Sequence, residues 1–172
     1  MNYIIRMKYL RRYIIMKINL LKTNLEPLYG YINISPHATP DQKDIAAGDI
    51  LSLDHILDAG EAEELLALDI IDFIPYNLID HVLSGWISKL AHKGEMVVGG
   101  VETYSLCKAF AAGSIELAHF NGLVFGDGST PWSQKKFIYG MDFLKTCFVQ
   151  KGLKLLDIKI SNLRYSIRAQ RP

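Results

Sequence analysis

Residues 65–75 read LLALDIIDFIP, and this stretch decides the fold of the chain. Its first part, residues 65–71, is nearly all apolar, which predicts a parallel strand that is covered on both faces. Asp69 and Asp72 lie where this strand ends, and Pro75 marks the turn that follows. Open α/β sheets bind their ligands outside the carboxyl ends of such strands. We therefore expect residues 69–75 to border a ligand site.

The segment after this stretch has the pattern of an amphipathic helix. Apolar residues recur every four positions between Asn77 and Leu90, which predicts a helix with Asn77 as its N-cap and Lys93-Gly94 as its stop. Residues 95–100 then predict a fifth strand. The unit formed by a strand, a helix and a strand favours parallel pairing.

The preceding part of the chain predicts three strands, at residues 17–21, 31–35 and 49–51. A short acidic helix is predicted over residues 53–64, just before the strand at residues 65–71. Only the third of these strands is as short as three residues.

The remainder of the chain predicts helices and then a hairpin. The helices are expected over residues 102–112, 114–123 and 135–151, with a loop at residues 126–131. Two strands, residues 153–160 and 164–171, are joined by a short polar turn at Asn162, which favours a β-hairpin. The expected architecture is α/β, with a mainly parallel sheet, helices on both faces and a C-terminal antiparallel hairpin, in one domain over residues 17–172.

Composition narrows the classes of function. The chain has 172 residues, of which 49% are hydrophobic, and a formal net charge of +1, so its overall charge gives no indication of a nucleic-acid or acidic partner. No apolar run approaches the ~18 residues of a membrane span. Cys107 and Cys147 lie in apolar segments and are expected to be buried free thiols. These features favour a cytoplasmic protein.

The first sixteen residues differ from the rest, because four basic residues alternate with apolar ones and the first acid is Glu26. The segment lacks the apolar core and cleavage site of a secretory signal. Three interpretations stay open: an amphipathic anchor at an anionic surface, a helix or strand packed on the sheet, or a translation start at Met16.

The order of elements and several local motifs resemble those of the class I S-adenosylmethionine-dependent methyltransferases, over about residues 16–172. The matching segments are the first strand at residues 17–20, the second strand at 30–34, the acidic segment at 48–53, the post-strand-four motif at 68–75, and the helix end and fifth strand at 86–98. The resemblance implies a Rossmann-like methyltransferase sheet, S-adenosylmethionine as cofactor, and a small-molecule or macromolecular methyl acceptor that the sequence does not define.

This chain departs from the family pattern at positions that carry chemistry. Where the family has a glycine-rich turn after the first strand, this chain has Lys22, Thr23 and Asn24, whose side chains would occupy cofactor space. Where a carboxylate should accept the ribose hydroxyls, it has Ser35. Phe73 replaces the histidine of the post-strand-four motif. A methyltransferase-like protein that has lost cofactor binding, and acts as a structural or interaction module, is therefore the alternative.

The resemblance also assigns candidate site residues. The cofactor-binding candidates are Lys22, Asn24, Ser35, Asp49, Ile50, Asp69 and Ile70, and the catalytic candidates are Asp72 and Glu102. Further candidates for a substrate base are Tyr104, His119 and Asp127, and Trp132 could cover the crevice. The competing interpretation of the acidic residues is that they are helix caps or solvated strand-end carboxylates. No metal site is expected, since no two histidines are spaced as a ligand pair. A homo-oligomer is compatible with this reading.

Overall fold

The structure is a computed structural model that describes residues 16–22, 26–130 and 133–172. Its sheet has seven strands in the order β3-β2-β1-β4-β5-β7-β6. The strands are β1 Met16–Leu20, β2 Ile32–Ser35, β3 Ile45–Ala47, β4 Ala62–Leu68, β5 Leu90–Val101, β6 Lys154–Ser161 and β7 Arg164–Gln170. Strands β1 to β5 pair in parallel, whereas β7 is antiparallel to both β5 and β6. The predicted mainly parallel sheet with its terminal hairpin is confirmed.

The described helices are α1 Ile79–Lys89, α2 Thr103–Ala111, α3 Leu117–Phe125 and α4 Met141–Gln150. Two 3₁₀ turns, Ile71–Phe73 and Tyr76–Leu78, link β4 to α1. Helix α1 is shorter than predicted: Asn77 lies in a 3₁₀ turn and does not cap the helix, and the chain is already extended at Leu90. Helix α4 begins at Met141 and not at residue 135, because residues 136 and 137 donate their N–H groups to the carbonyl of Asp72.

Three further predictions were wrong. Residues 49–51 form a turn, and the third strand is Ile45–Ala47, which pairs with residues 33–35. Residues 53–64 do not form a helix: one turn closes between Leu53 and Leu57, and the chain then reverses at Gly60 (φ 77°) before β4 begins at Ala62. Cys107 is exposed and Cys147 is half-buried, so the expectation of buried thiols was wrong for Cys107.

The main core lies on one face of the sheet. Ile18, Leu65, Met96 and Ala169 follow one another across paired strands and are fully buried. Helices α1 and α4 cover this face, with their buried side chains Val82, Leu83, Trp86, Leu144 and Phe148. A smaller apolar cluster around Val101 joins α2 and α3 at the carboxyl end of β5. In the part of the chain that the structure describes, no helix is both long and apolar enough to cross a membrane.

The connection from β1 to β2 has no helix in its described part and is organised instead by buried amides. The Nδ2 group of Asn19 donates to Oδ1 of Asn33 at 2.9 Å, across the two strands. Asn33 also accepts from the N–H of Leu28 and donates to the carbonyls of Leu28 and Asp44. Both amides are nearly fully buried, so these bonds hold the connection and the start of β3 against β2.

Candidate functional site

The sheet changes direction between β1 and β4, since β2 and β3 lie on one side of this pair and β5, β7 and β6 on the other. In open α/β sheets the ligand crevice forms outside the carboxyl ends of the strands at such a switch point. Lys22 follows β1 and Asp69 follows β4, so these residues border the crevice. The switch point therefore lies next to the stretch from which the sequence analysis began.

The side chain of Lys22 reaches across this crevice. Its Nζ lies 3.2 Å from Oδ2 of Asp127 and 4.8 Å from the ring centroid of Phe73. The lysine thus joins the end of β1 to the turn after β4 and to the loop after α3. The phenyl ring at the position of the family's histidine holds a cation here, through the attraction of its π-face for positive charge.

Asp127 is held in its ionised form. Hydrogen bonds from Ser133 and Ser129 and the nearby Lys22 ammonium lower the pKa of its carboxyl well below the ordinary aspartate value. The carboxylate is nevertheless 58% exposed, so water screens its ion pair with Lys22. The ion pair with Asp127 therefore orients the Lys22 side chain but holds it only weakly.

The predicted cofactor residues after β2 and β3 have structural partners. Ser35 is 2% exposed, and its hydroxyl accepts the N–H of His37 at 3.2 Å. Asp49 is exposed, and its carboxylate accepts the N–H of Leu51 at 2.8 Å. Ile50 is buried in the core, and its carbonyl accepts the indole N–H of Trp86. Of the three, Asp49 is the one whose side chain faces solvent.

Asp69 has a left-handed backbone (φ 57°), and its carboxylate forms an ion pair with Arg164 of β7. Its N–H donates to the carbonyl of Gly99 at 3.0 Å, which joins the turn to β5. The neighbouring Ile70 is 1% exposed and belongs to the core. Asp69 thus follows β4 at the switch point, where its carboxylate pairs with Arg164, and no sequence pattern indicated this arginine.

Asp72 is fully buried and pairs with Lys135, whose Nζ lies 2.9 Å from Oδ2. Its Oδ1 accepts the N–H of Tyr139 at 3.4 Å, and its carbonyl accepts the N–H groups of residues 136 and 137. Burial raises the pKa of this carboxyl against the opposing effect of Lys135. A buried, paired carboxylate cannot reach a substrate in this conformation, and its contacts anchor residues 135–139 across the end of β4.

Glu102 caps helix α2. Its carboxylate accepts the N–H groups of Ser105 at 2.6 Å and Tyr104 at 3.3 Å. Burial opposes ionisation, but these hydrogen bonds prevail and lower the pKa of the carboxyl. The arrangement matches the competing interpretation of Glu102 as a helix cap, and a catalytic role for it stays a prediction.

The remaining candidates are scattered. Tyr104 is 74% exposed, and His119 is exposed on α3. Asn24 and Trp132 lie outside the described residues. Within the described ranges no group of His, Cys, Asp and Glu could hold a metal ion.

An aromatic cluster that no sequence pattern indicated lies beside Asp72. The ring of Phe137 lies 4.9 Å from those of both Tyr76 and Tyr139, and Phe143 is 6.0 Å from Tyr76. Tyr139 is buried and donates to the carbonyl of Ile74, whereas Tyr76 and Phe137 are exposed. Tyr76 is far in sequence from the other three rings, so only the packing of residues 135–139 on the turn after β4 brings it next to them.

Comparison with known proteins finds similarity in structure. No family model and no curated protein sequence matches the chain. Among solved structures, an S-adenosylmethionine-dependent methyltransferase from Thermotoga maritima, described as a possible histamine N-methyltransferase, superposes with a TM-score of 0.60 at 11% identity, over 98% of this chain and 88% of its own. The 1,6-didemethyltoxoflavin N1-methyltransferase of Burkholderia thailandensis, solved with S-adenosylhomocysteine, superposes with a TM-score of 0.55 at 10% identity.

The lengths of these neighbours differ. The match to the 1,6-didemethyltoxoflavin N1-methyltransferase covers 83% of this chain and 62% of its own length. An O-methyltransferase family protein from the same organism matches with a TM-score of 0.52 at 10% identity, over 83% of this chain and 44% of its own length. At these identities the likeness establishes the fold.

Proposed function

Because the chain has the fold of the class I S-adenosylmethionine-dependent methyltransferases, we propose that it is a methyltransferase-like protein whose ligand site is the crevice between Lys22 and Asp69. The observation that carries the proposal is the sheet order, which puts the direction change between β1 and β4. Methyl transfer from a sulfonium depends mainly on positioning an in-line acceptor, so the reaction needs little from the protein in covalent chemistry. The acceptor is a small molecule or a macromolecule that these residues do not identify.

The described conformation does not fit the cofactor in the family's manner. Lys22 crosses the crevice, and the buried Ser35 hydroxyl is bonded to His37 and faces no ligand. Asp49 remains as an exposed acceptor on the far side of β1. Cofactor binding therefore requires Lys22 to leave Phe73 and Asp127. The Lys22 side chain is 21% exposed, so its cation–π contact contributes about 1 kcal/mol, between the values for exposed and desolvated contacts. The screened ion pair adds little, so the displacement of Lys22 is a modest cost.

The contacts of Lys22 also favour a second candidate, a structural or interaction module without cofactor. In this candidate, the Lys22 side chain permanently occupies the space that the methionine end of the cofactor would take. Its contacts then serve to link the ends of β1 and β4 to the loop at Asp127. The ion pair of Asp69 with Arg164 is consistent with this reading, because it uses a crevice carboxylate for a contact within the sheet.

Calorimetric titration with S-adenosylmethionine and S-adenosylhomocysteine separates the two candidates. The methyltransferase proposal predicts saturable binding of both ligands to the wild-type protein. Absence of binding at millimolar ligand, in a sample whose folding is verified by circular dichroism, would rule it out and leave the module. A cytoplasmic location belongs to the same proposal, and the free thiols of Cys107 and Cys147 agree with a reducing compartment.

A further inference from the structure

Strand β6 forms one edge of the sheet and carries an apolar strip that is open to solvent. Its neighbour β7 pairs on one side, and none of the strands among the described residues pairs on the other, so the N–H and C=O groups of that side are a template for another strand. Leu156, Ile158 and Ile160 are exposed by 40%, 38% and 52%. Val149, on the helix that packs against β6 and β7, is exposed as well.

Symmetry limits how a second copy could pair with this edge. A twofold axis makes two copies of β6 antiparallel, with the same patch on both copies. In an antiparallel ladder, opposite residues direct their hydrogen-bonding groups either both toward or both away from the partner strand. In the regular part of β6, the twofold axis must therefore place one residue directly opposite the same residue of the other copy. It cannot lie level with the midpoint between two consecutive residues.

The charges on β6 then distinguish the registers. An axis at Asp157 places two aspartates opposite each other, and an axis at Lys159 places two lysines opposite each other, and like charges directly opposite are destabilising. An axis at Ile158 instead places Asp157 of each copy opposite Lys159 of the other. Within one copy these two side chains already approach to 3.4 Å on the same face, so both are available on that face.

We propose that β6 is an interface with a second copy of this chain, paired antiparallel about Ile158. In this register Ile158 lies opposite Ile158 of the other copy, and Ile160 comes opposite Leu156, which is the residue at the irregularity between Leu155 and Asp157. Charges and bulges usually protect an edge strand from pairing. On β6 the charges of Asp157 and Lys159 disfavour the registers about residues 157 and 159 and favour the register about Ile158. The charges therefore select one register of self-pairing and do not simply prevent pairing.

Sedimentation velocity of charge variants tests the proposal. The wild-type protein is expected to be a dimer, and Lys159→Asp, which puts acids opposite acids twice, is expected to be a monomer. The double variant Asp157→Lys/Lys159→Asp exchanges the charges and is expected to regain the dimer. Lys159 is 75% exposed, so the single change should leave the fold intact, and circular dichroism checks this.

A mixing experiment adds a readout that nonspecific association would not give. Asp157→Lys alone and Lys159→Asp alone should each be monomeric, and should form a heterodimer when mixed, since every opposing pair is then of opposite sign. Lys43→Asp, an exposed change next to the other edge strand β3, is the matched control and should stay dimeric. A wild-type monomer, a dimeric Lys159→Asp variant, or single variants that stay apart on mixing would each overturn the proposal and leave this edge for a different partner.

Discussion

Replacement of Lys135 by methionine should destabilise the protein strongly, because it leaves the Asp72 carboxylate buried without its cation. Asp72 is fully buried and the Lys135 side chain is 7% exposed, so water cannot take over the lost contact. Removal of one partner of a buried ion pair typically costs about 3–5 kcal/mol. Methionine keeps most of the lysine's length, so the loss of packing is small.

Urea denaturation at two pH values measures this effect. Burial already raises the pKa of Asp72 in the wild-type protein, and removal of Lys135 raises it further. The folded state then binds the Asp72 proton more tightly than the unfolded state does. The contribution of this group to stability is therefore fully present below the unfolded pKa and is lost as pH rises through the folded pKa. The loss on Lys135→Met should be large at pH 7 and smaller under acidic conditions.

Two further variants make the test specific. Asp72→Asn/Lys135→Met removes both charges and should recover much of the stability. Lys145→Met removes a lysine whose partner Asp142 is 87% exposed and should change stability by no more than about 0.5 kcal/mol. A Lys135→Met variant as stable as Lys145→Met at pH 7 would refute the account of a buried ion pair that anchors residues 135–139.

Three other predictions follow from individual contacts. Glu102→Ala should lower the free energy of unfolding by about 1 kcal/mol, the typical cost of a lost N-cap, while Glu102→Asp, which can still cap, should lose less in the same urea experiment. Gly99→Ala should be strongly destabilising, because the added Cβ would lie 2.6 Å from the backbone carbonyl oxygen of Tyr165. Gly122→Ala should instead raise the free energy of unfolding by about 0.5–1 kcal/mol, because this position lies within α3 and its added Cβ has no atom of the described residues within 4 Å. In a carbon-detected NMR titration, the Asp127 carboxyl should stay ionised at pH values below those at which aspartates usually become protonated. Its stabilising contribution is therefore present above the unfolded pKa and is lost only as pH falls through the lowered folded pKa.

Each of these has a result that would contradict it. Equal losses for Glu102→Ala and Glu102→Asp would argue against the cap. A Gly99→Ala variant as stable as the wild type would mean that β5 and β7 do not approach as closely as described. An Asp127 carboxyl that titrates at the ordinary aspartate value would mean that its hydrogen bonds are absent in solution.

The sheet was largely predictable because strand period and order are local properties of the sequence. Alternation of polar and apolar residues marked β2, and apolar runs marked β4, β5 and the end of β1. The polar turn at Asn162 marked the hairpin, where Asn162 and Leu163 adopt the positive φ of a tight two-residue turn. The third strand was misplaced because residues 45–47 and 49–51 have similar local patterns, and pairing with β2 decides between them. Residues 53–57 have helical spacing, but the positive φ at Gly60 ends the turn.

The contacts of the candidate site residues could not be predicted from the sequence. The switch-point rule needs only the order of the strands to select Asp69 and Lys22 as candidates, and their role as ligand-binding residues stays a prediction. Their partners come from distant segments: Arg164 from β7 and Asp127 from the loop after α3. Lys135 lies 63 residues from Asp72, and no period or motif connects them. Whether a carboxylate is exposed or paired depends on these partners, so its role could not be read from the sequence.

The most direct test of the central proposal is the affinity for S-adenosylhomocysteine of the wild-type protein and of Lys22→Ala, measured by calorimetry. If the crevice binds the cofactor once Lys22 leaves, both proteins bind, and the variant binds about two- to tenfold more tightly because it no longer breaks the contacts with Phe73 and Asp127. Lys145→Ala, which removes another exposed ion pair, should bind as the wild type does. If neither the wild type nor Lys22→Ala binds the ligand, or if Lys22→Ala binds more weakly, the proposal that this crevice is a cofactor site closed by Lys22 is wrong.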